Sequence, residues 1–277
     1  LGGILSGDVI WAQGYSEPGS GSDLASLQTR AVHDGDEYVL NGQKIWTSGA
    51  QFSDWLFVLA RTDPDAPKHR GISFLLIDQS TPGISVQPLI NMGWEHGFNE
   101  TFFEDVRVPI SNRVGEENRG WYVGMTLLDF ERSNITGAID ARRSVDSLIE
   151  YTSTDEGKAM SRMASEPSLR GEIADRAIET EVMFNFSFRI ISMQDHGMIP
   201  NYEASTSKLF NSELSQRLAN TGVKMFGLHS NLWERDRAPM RAQFPRSYVM
   251  AVSSTIAAGT SEVQRNIIAT RGLGLPR

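Results

Sequence analysis

The sequence predicts an α+β chain of two domains: an antiparallel β-barrel or sandwich over residues 1–113, then a helical bundle over 114–277. Two observations carry that expectation. Up to about residue 113, short apolar runs alternate with breaks rich in Pro and Gly. Strands joined by turns favour antiparallel pairing over βαβ units. From Trp121 onward, apolar residues recur at the three- and four-residue spacing of a helix.

In chain order, Tyr38-Val39-Leu40 reads as a strand. Asn41-Gly42 reads as a hairpin turn, because both residues tolerate positive φ, and Gln43-Lys44-Ile45-Trp46 reads as the return strand. Further strands fit 55–60, 72–77, 101–103 and 106–108, with Pro64, Pro67, Gly71, Pro82-Gly83 and Gly93 as punctuation. Val123, Leu127, Leu128, Ile135, Ile139 and Val145 mark the first helical stretch. Residues 153–167 are polar and aperiodic, which suggests an exposed connection. Glu166-Pro167-Ser168 then opens a helix over 169–193, with Ile173, Ala177, Ile178, Val182 and Phe186 as its apolar stripe. Helices over 202–226 and 248–257, and a short one over 261–270 closed by Gly272, complete the chain.

Composition removes several classes of function. The 277 residues hold 26 Lys+Arg against 34 Asp+Glu, a formal net charge of −8. A general nucleic-acid binder needs basic surface, so this balance argues against one. With 40% hydrophobic and 22% charged residues the chain can bury a core, which disfavours wholesale disorder. Cysteine is absent, excluding disulfides, Cys-ligated zinc, iron–sulfur clusters and a thiol nucleophile. The five histidines lack ligand spacing, so no metal is expected. No apolar run reaches the roughly 18 residues of a membrane span and no leader is visible, so a cytoplasmic protein is expected.

Four stretches carry chemical interest. Gly14 to Asp23 holds three glycines, a proline and small hydroxyl residues, which suit a ligand-approaching backbone and an ordinary surface loop equally. It lacks the spacing of a dinucleotide fingerprint and the Lys of a P-loop. Ser205-x-x-Lys208 matches a nucleophile pattern, but no Ser-Asp-Asn accompanies it, and the match is rejected. Glu131 lies in an apolar helical stretch. Burial would raise its pKa into the range of a usable base, whereas a polar-face Glu paired with an Arg is the plainer alternative. Ala258-Gly259-Thr260-Ser261 is a turn opening a helix, where free N–H groups suit a carbonyl oxygen or an anion, or where Thr260 or Ser261 is an N-cap.

Four segments in this order resemble the acyl-CoA dehydrogenase family of flavoproteins. They are Ser16-Glu17-Pro18-Gly19-Ser20-Gly21-Ser22-Asp23, Asn41-Gly42-Gln43-Lys44-Ile45-Trp46, Phe103-Glu104-Asp105-Val106-Arg107-Val108-Pro109 and Gly259-Thr260-Ser261-Glu262-Val263-Gln264-Arg265. The resemblance implies a helical N-terminal domain, a middle β domain and a C-terminal four-helix bundle. This chain, opening at Leu1, is expected to carry the last two. It also implies FAD as cofactor, an acyl-CoA substrate, a homo- or hetero-oligomer, and an electron-transferring flavoprotein as partner. The family reaction is α,β-dehydrogenation: a carboxylate removes the α-proton and the β-hydrogen leaves as hydride to flavin N5.

The same resemblance assigns residues. Many members place the base just before the final Gly-Thr, where this chain has Ala258, which takes no proton. A smaller branch, including isovaleryl-CoA dehydrogenase, places it on the first bundle helix, where this chain has Phe130-Glu131-Arg132. Glu131 is therefore the expected base, and the Ala258 backbone N–H the expected donor to the enolate oxygen. Ser16 replaces a Thr that bonds the flavin ring, with Gln13 and Tyr15 on the same strand. Ser22 is expected near the flavin pyrophosphate and the acyl-CoA, and Trp46 against the flavin. Ser48 replaces a Thr near its reactive edge, and Thr260 and Glu262 fall at adenosine contacts. Asp129 and Arg132 fall at CoA-contacting or base-supporting positions. Two family elements are altered. Between Ile149 and Ile173 there is no Arg-x-x-Phe-Gly flavin clamp, only Arg162 and Arg170. The Gly-Gly-x-Gly loop appears as Phe226-Gly227-Leu228-His229-Ser230. Such departures accompany members acting on bulky thioesters such as steroid side chains. They keep two other readings open: a non-catalytic partner subunit of a hetero-oligomeric dehydrogenase, and a related flavin oxidase or monooxygenase.

Overall fold

The computed structural model describes residues 2–131 and 135–276, the side chains of 129–131 excepted. Its contacts divide the chain into two units, Leu1–Leu128 and Asp129–Arg277.

The first unit opens with a short helix α1 (Gly2–Ser6) and is then built on β1 (Trp11–Gly14), β2 (Arg30–Asp34), β3 (Glu37–Lys44), β4 (Trp55–Arg61), β5 (Ile72–Asp78), β6 (Ile84–Ile90), β7 (His96–Pro109) and β8 (Arg113–Val114). They form one eight-stranded sheet in the order β6-β7-β3-β2-β4-β5-β8, with β1 beside β4. The sheet is mixed. Most pairs are antiparallel, as the short strands and turns suggest, but β1 runs parallel to β4 and β2 meets β4 in a parallel contact. β4 and β5 read as near-continuous apolar runs because they are covered on both faces. β6 is an edge strand and accepts Pro88, which has no N–H to offer a further neighbour.

Asn41-Gly42 is not a hairpin. β3 continues straight through it, with Asn41 opposite Arg30 of β2 and Gly42 opposite Phe103 of β7, and a bulge between Leu40 and Gly42. Gly42 is required by contact: at φ +151, a Cβ there would sit 2.7 Å from the Thr29 Cα. The turn lies earlier, at Gly35, where φ is +69 and Asp34 pairs with Glu37.

α2 (Gly120–Glu131) begins in the first unit. Its Trp121, Val123 and Leu128 pack on Tyr15, Leu27, Leu59, Ile72 and Phe74. The contact boundary therefore falls inside α2, whereas the composition changes near 113. A larger core of Tyr38, Leu40, Leu56, Val58, Leu75, Phe103 and Val106 fills the rest of the unit.

The second unit holds α3 (Ile135–Ser153), α4 (Asp155–Met160), α5 (Ser168–Asp195), α6 (Tyr202–Phe226), α7 (Gln243–Ser254) and α8 (Ser261–Ile267), closed by a π-helical turn at Ile268–Gly272. α6 is central, packed by α3, α5, α7 and α8. Val145, Leu148, Leu169, Ile173, Leu218, Phe226 and Phe244 make one core, and Ala138, Ala141, Met183 and Leu214 a second. The buried stripe of α5 is Leu169, Ile173, Thr180, Met183, Ser187 and Ile190, so the expected stripe is corrected: Ile178 and Val182 face outward. α7 starts earlier than expected, because Pro245 sits in its first turn, where no amide donor is needed. The polar connection 153–167 contains α4, capped by Thr154, which accepts from the Gly157 N–H at 3.0 Å.

Candidate functional site

In the first unit, β1 feeds the Gly- and Ser-rich segment. Gln13 is half-buried. Tyr15 is turned into the core, its ring edge-on to Phe57 and Phe74 at 5.9 and 6.3 Å, so its side chain serves packing. Beyond it, Glu17 and Ser20 exchange two 3.0 Å backbone bonds across Pro18-Gly19. The Ser16 carbonyl accepts from Ile45 N–H at 2.9 Å, which ties this segment to the end of β3. Ser22 is exposed, and the neighbouring Asp23 pairs with Lys68 at 2.7 Å.

The segment is held from beneath by a buried ion pair. Lys44 has no solvent exposure; its Nζ donates to the Tyr15 carbonyl at 3.0 Å and to Glu17 Oε1 at 2.8 Å. Glu17 also accepts from the backbone N–H groups of Gln28 and Thr29, at 2.6 and 2.8 Å. Burial raises the Glu17 carboxyl, but Lys44 and these donors outweigh it and leave the group below its ordinary value. Burial pushes Lys44 down to about 8, against the attraction of Glu17. Neither residue has a role that the sequence alone suggests. The signal present was position: Lys44 follows Tyr38 and Leu40 on the inward-facing alternate sites of β3.

Trp46 follows directly. It lies at φ +63, a region bulky residues avoid, and 56% of its surface is exposed. Its ring has an edge contact with Phe98 at 6.0 Å. Ser48 is exposed. Among the described residues, the hydroxyls of Ser16, Ser22 and Ser48 take no hydrogen-bond partner.

In the second unit, Ala258 (φ +54) and Gly259 (φ +86) turn the chain into α8. Gln264, fully buried, donates to the carbonyls of Ala258 and Gly259 at 2.9 and 3.3 Å, and Lys208 Nζ donates to the Gly259 carbonyl at 2.7 Å. A Cβ at Gly259 would meet Gln264 Nε2 at 2.6 Å. Both carbonyls are thus held, while the Ala258 N–H is without a partner among the described residues, on an exposed position. Thr260 is the N-cap of α8, accepting from Val263 N–H at 3.2 Å. Glu262 is held below its ordinary value by its own backbone N–H and the Thr260 hydroxyl. Both residues border a cleft of about 500 Å³, with Arg217, Thr255, Ile256 and Arg265. Lys208 of the rejected Ser-x-x-Lys match thus has a different task, and Ser205 is sealed in the bundle.

Glu131, Asp129 and Arg132 lie outside the described side chains, and Arg132 outside the described residues altogether. Arg162, in the region of the missing clamp, is engaged locally. Its backbone N–H donates to the Met225 carbonyl at 2.8 Å and its guanidinium to Glu166 at 2.6 Å. Arg170 is exposed.

Residues 12–106 match the acyl-CoA dehydrogenase middle domain, and residues 118–273 the acyl-CoA dehydrogenase C-terminal domain. The chain is 35% identical over 284 residues to acyl-CoA dehydrogenase FadE26 of Mycobacterium tuberculosis, covering 99% of this chain and 70% of that protein. Among solved structures, a steroid acyl-CoA dehydrogenase described as Tcur3481-Tcur3483 superposes with a TM-score of 0.91 at 33% identity, over 100% of this chain and 71% of that one. The ChsE4-ChsE5 complex from Mycobacterium tuberculosis superposes with a TM-score of 0.84 at 35% identity, over 99% and 71%. The same strands and helices, and the same pair of family domains in the same order, leave one conclusion: this chain belongs to the acyl-CoA dehydrogenase family, oxidoreductases acting on CH–CH groups.

Proposed function

We propose that the chain catalyses FAD-dependent α,β-dehydrogenation of an acyl-CoA thioester, with Glu131 as the base. The observation that carries this reading is the Ala258 turn. Its side chain is a methyl group, so the turn supplies no proton acceptor, yet its N–H has no partner among the described residues and its carbonyls are fixed by Gln264 and Lys208. Such a donor suits the thioester carbonyl oxygen, whose negative charge grows as the α-proton leaves. The proton must then go to a carboxylate elsewhere, and Glu131 on α2 is the residue the sequence supplies.

The residues fit a flavin. The hydroxyls of Ser16, Ser22 and Ser48, without partners among the described residues, match ring carbonyls, ribityl oxygens and phosphates, and the exposed Trp46 indole offers a flat apolar face. Gly19 and Gly21 have no atom within 4 Å of where a side chain would begin, so a ligand can approach the backbone there. When bound, FAD supplies the two-electron acceptor for the departing β-hydrogen. Gln13, Tyr15, Thr260 and Glu262 complete the proposed flavin set, Tyr15 through its packing beneath the segment; Ser22, Asp129 and Arg132 are the proposed acyl-CoA contacts. Residues 1–113 and 114–277 are the proposed functional division. An electron-transferring flavoprotein is the proposed electron acceptor, and a bulky acyl group of steroid type the proposed substrate, in keeping with the steroid enzyme among the structural neighbours.

In the flavin-loaded protein, Glu131→Ala should keep flavin and lose dehydrogenation by several orders of magnitude, read as single-turnover bleaching of the flavin by an acyl-CoA panel. Unchanged bleaching would remove Glu131 from the mechanism. A second reading, a non-catalytic partner subunit, is favoured by one observation: Arg162 is spent within the bundle where a flavin clamp is expected. A flavin-to-chain ratio near zero for the purified chain, restored by a second chain, would support that reading.

A further inference from the structure

The residues on each side of Trp46 are both tied down. Ile45 N–H donates to the Ser16 carbonyl at 2.9 Å. Thr47 N–H donates to the Asn99 carbonyl at 3.0 Å, and the Asn99 side-chain Nδ2 donates back to the Thr47 carbonyl at 3.0 Å. Asn99 is fully buried. Its Nδ2 also reaches Gln51 Oε1 at 2.6 Å, and its Oδ1 lies 2.7 Å from His96 Nε2. The Thr47 carbonyl can only accept, so the amide nitrogen must face it and the amide oxygen must face His96; His96 therefore carries a proton on Nε2 and donates. The Gln51 amide, donating to the His96 carbonyl at 3.5 Å, closes the ring of contacts.

Asn99 thus spends one backbone group and one side-chain donor on a single residue, Thr47. That residue immediately follows one held at φ +63, a conformation that persists only where the surroundings over-determine it. Phe98, the residue before Asn99, gives the Trp46 ring its edge contact. Two consecutive residues of β7 therefore hold the backbone next to Trp46 and touch its ring. Neither Asp nor Leu can replace Asn here: the first has no N–H to give Thr47, and the second has nothing to give.

We propose that Asn99, oriented by His96, is the positioning residue that sets the Trp46 indole for the flavin. This rests on the FAD reading above. Trp46 touches the flavin in that reading; Asn99 acts through Thr47 and Trp46.

The test uses the full chain, with and without FAD, as wild type, Asn99→Asp, His96→Ala, His96→Gln and the reference Trp46→Phe. In the flavin-free protein, the acrylamide quenching attributable to Trp46 should rise in Asn99→Asp and His96→Ala. It should stay near wild type in His96→Gln, whose amide still offers an N–H. In the flavin-loaded protein, Asn99→Asp should shift the visible flavin band and lower kcat by about tenfold or more while KM stays within about twofold, the signature of misplacement. His96→Ala should show a smaller loss of the same kind. Should Asn99→Asp fail to fold, His96→Ala decides, because His96 is exposed. A lowered Tm in Asn99→Asp and His96→Ala with wild-type quenching, flavin band and kcat would reduce Asn99 to a purely structural amide and overturn the proposal. Failure of wild type to take up FAD would instead overturn the flavin reading, while the flavin-free quenching still decides whether Asn99 positions Trp46.

Discussion

Lys44 and Glu17 show what a single residue costs in the interior. Both are almost wholly withdrawn from water, at 0% and 7% side-chain exposure, and each is the other's ionic partner at 2.8 Å. Removing one leaves the other charged and buried, so Lys44→Met should destabilise the fold by about 3–5 kcal/mol. Glu17→Gln in the Lys44→Met background should recover part of that loss, because it removes the stranded charge, and a double-mutant cycle by urea unfolding measures the coupling. The pH dependence follows from the direction of each shift. Glu17 sits below its ordinary 4.5 in the folded chain, so its stabilisation is full above that value and is lost as pH falls through the folded one. Glu17→Gln should therefore flatten the acid limb of a stability–pH curve; an unaltered limb would discount the pair. Lys44 titrates near 8 when folded against an ordinary 10.5, so between these values the unfolded chain holds a proton the folded chain has released. This group alone makes unfolding harder as pH rises through that window. The two motifs that contain these residues are legible in the sequence, but their pairing is not, since Glu17 and Lys44 meet only after β1 and β3 are brought to one sheet.

At the scale of elements, α6 is fixed by how closely α7 approaches it. A Cβ on Gly222 would lie 2.0 Å from Phe244 Cδ1, at the ring that closes the larger bundle core. Gly222→Ala should cost about 1–3 kcal/mol through overpacking, and Phe244→Leu in the same background should return part of it. Thermal unfolding of the four cycle members checks this, and a neutral Gly222→Ala would show that α7 is free to shift. Thr260→Ala should cost about 1 kcal/mol by removing the α8 cap, seen as faster amide exchange at Val263. The elements best read from sequence were those whose periodicity and length agree: α6 has the bounds its pattern predicts, Tyr202–Phe226. Sequence and structure part where one local signal has two physical meanings. Asn41-Gly42 is turn-like chemistry inside a continuous strand, where Thr29 presses on the glycine, while the weaker-looking Gly35-Asp36 makes the turn. On α5, Ile178 and Val182 are apolar yet outward, and the buried face includes Thr180 and Ser187, polar residues that a hydrophobic stripe passes over. Each bonds back to its own helix, Thr180 to the Ala177 carbonyl and Ser187 to that of Met183, so neither is stranded.

Over the whole molecule, each of the two units has its own hydrophobic cores, built on a sheet in one and on helices in the other. A chain with separate cores need not unfold in one step. The chain carries its own reporters for this. Trp11, Trp46, Trp55, Trp94 and Trp121 lie in the first unit and only Trp233 in the second, so tryptophan emission follows the β unit. Ellipticity at the helical minimum follows the second unit, which holds the long helices α3, α5 and α6. Urea transitions by the two probes should therefore separate. Lys44→Met provides the sharper form of the prediction, since the substituted residue belongs to the first unit. With urea m-values of roughly 1–3 kcal/mol/M, the loss of about 3–5 kcal/mol should move the emission midpoint by about 1 M or more. The ellipticity midpoint should stay in place. If both midpoints move together, the two cores unfold as one cooperative unit, and every stability change argued above at a single site is a property of the entire chain.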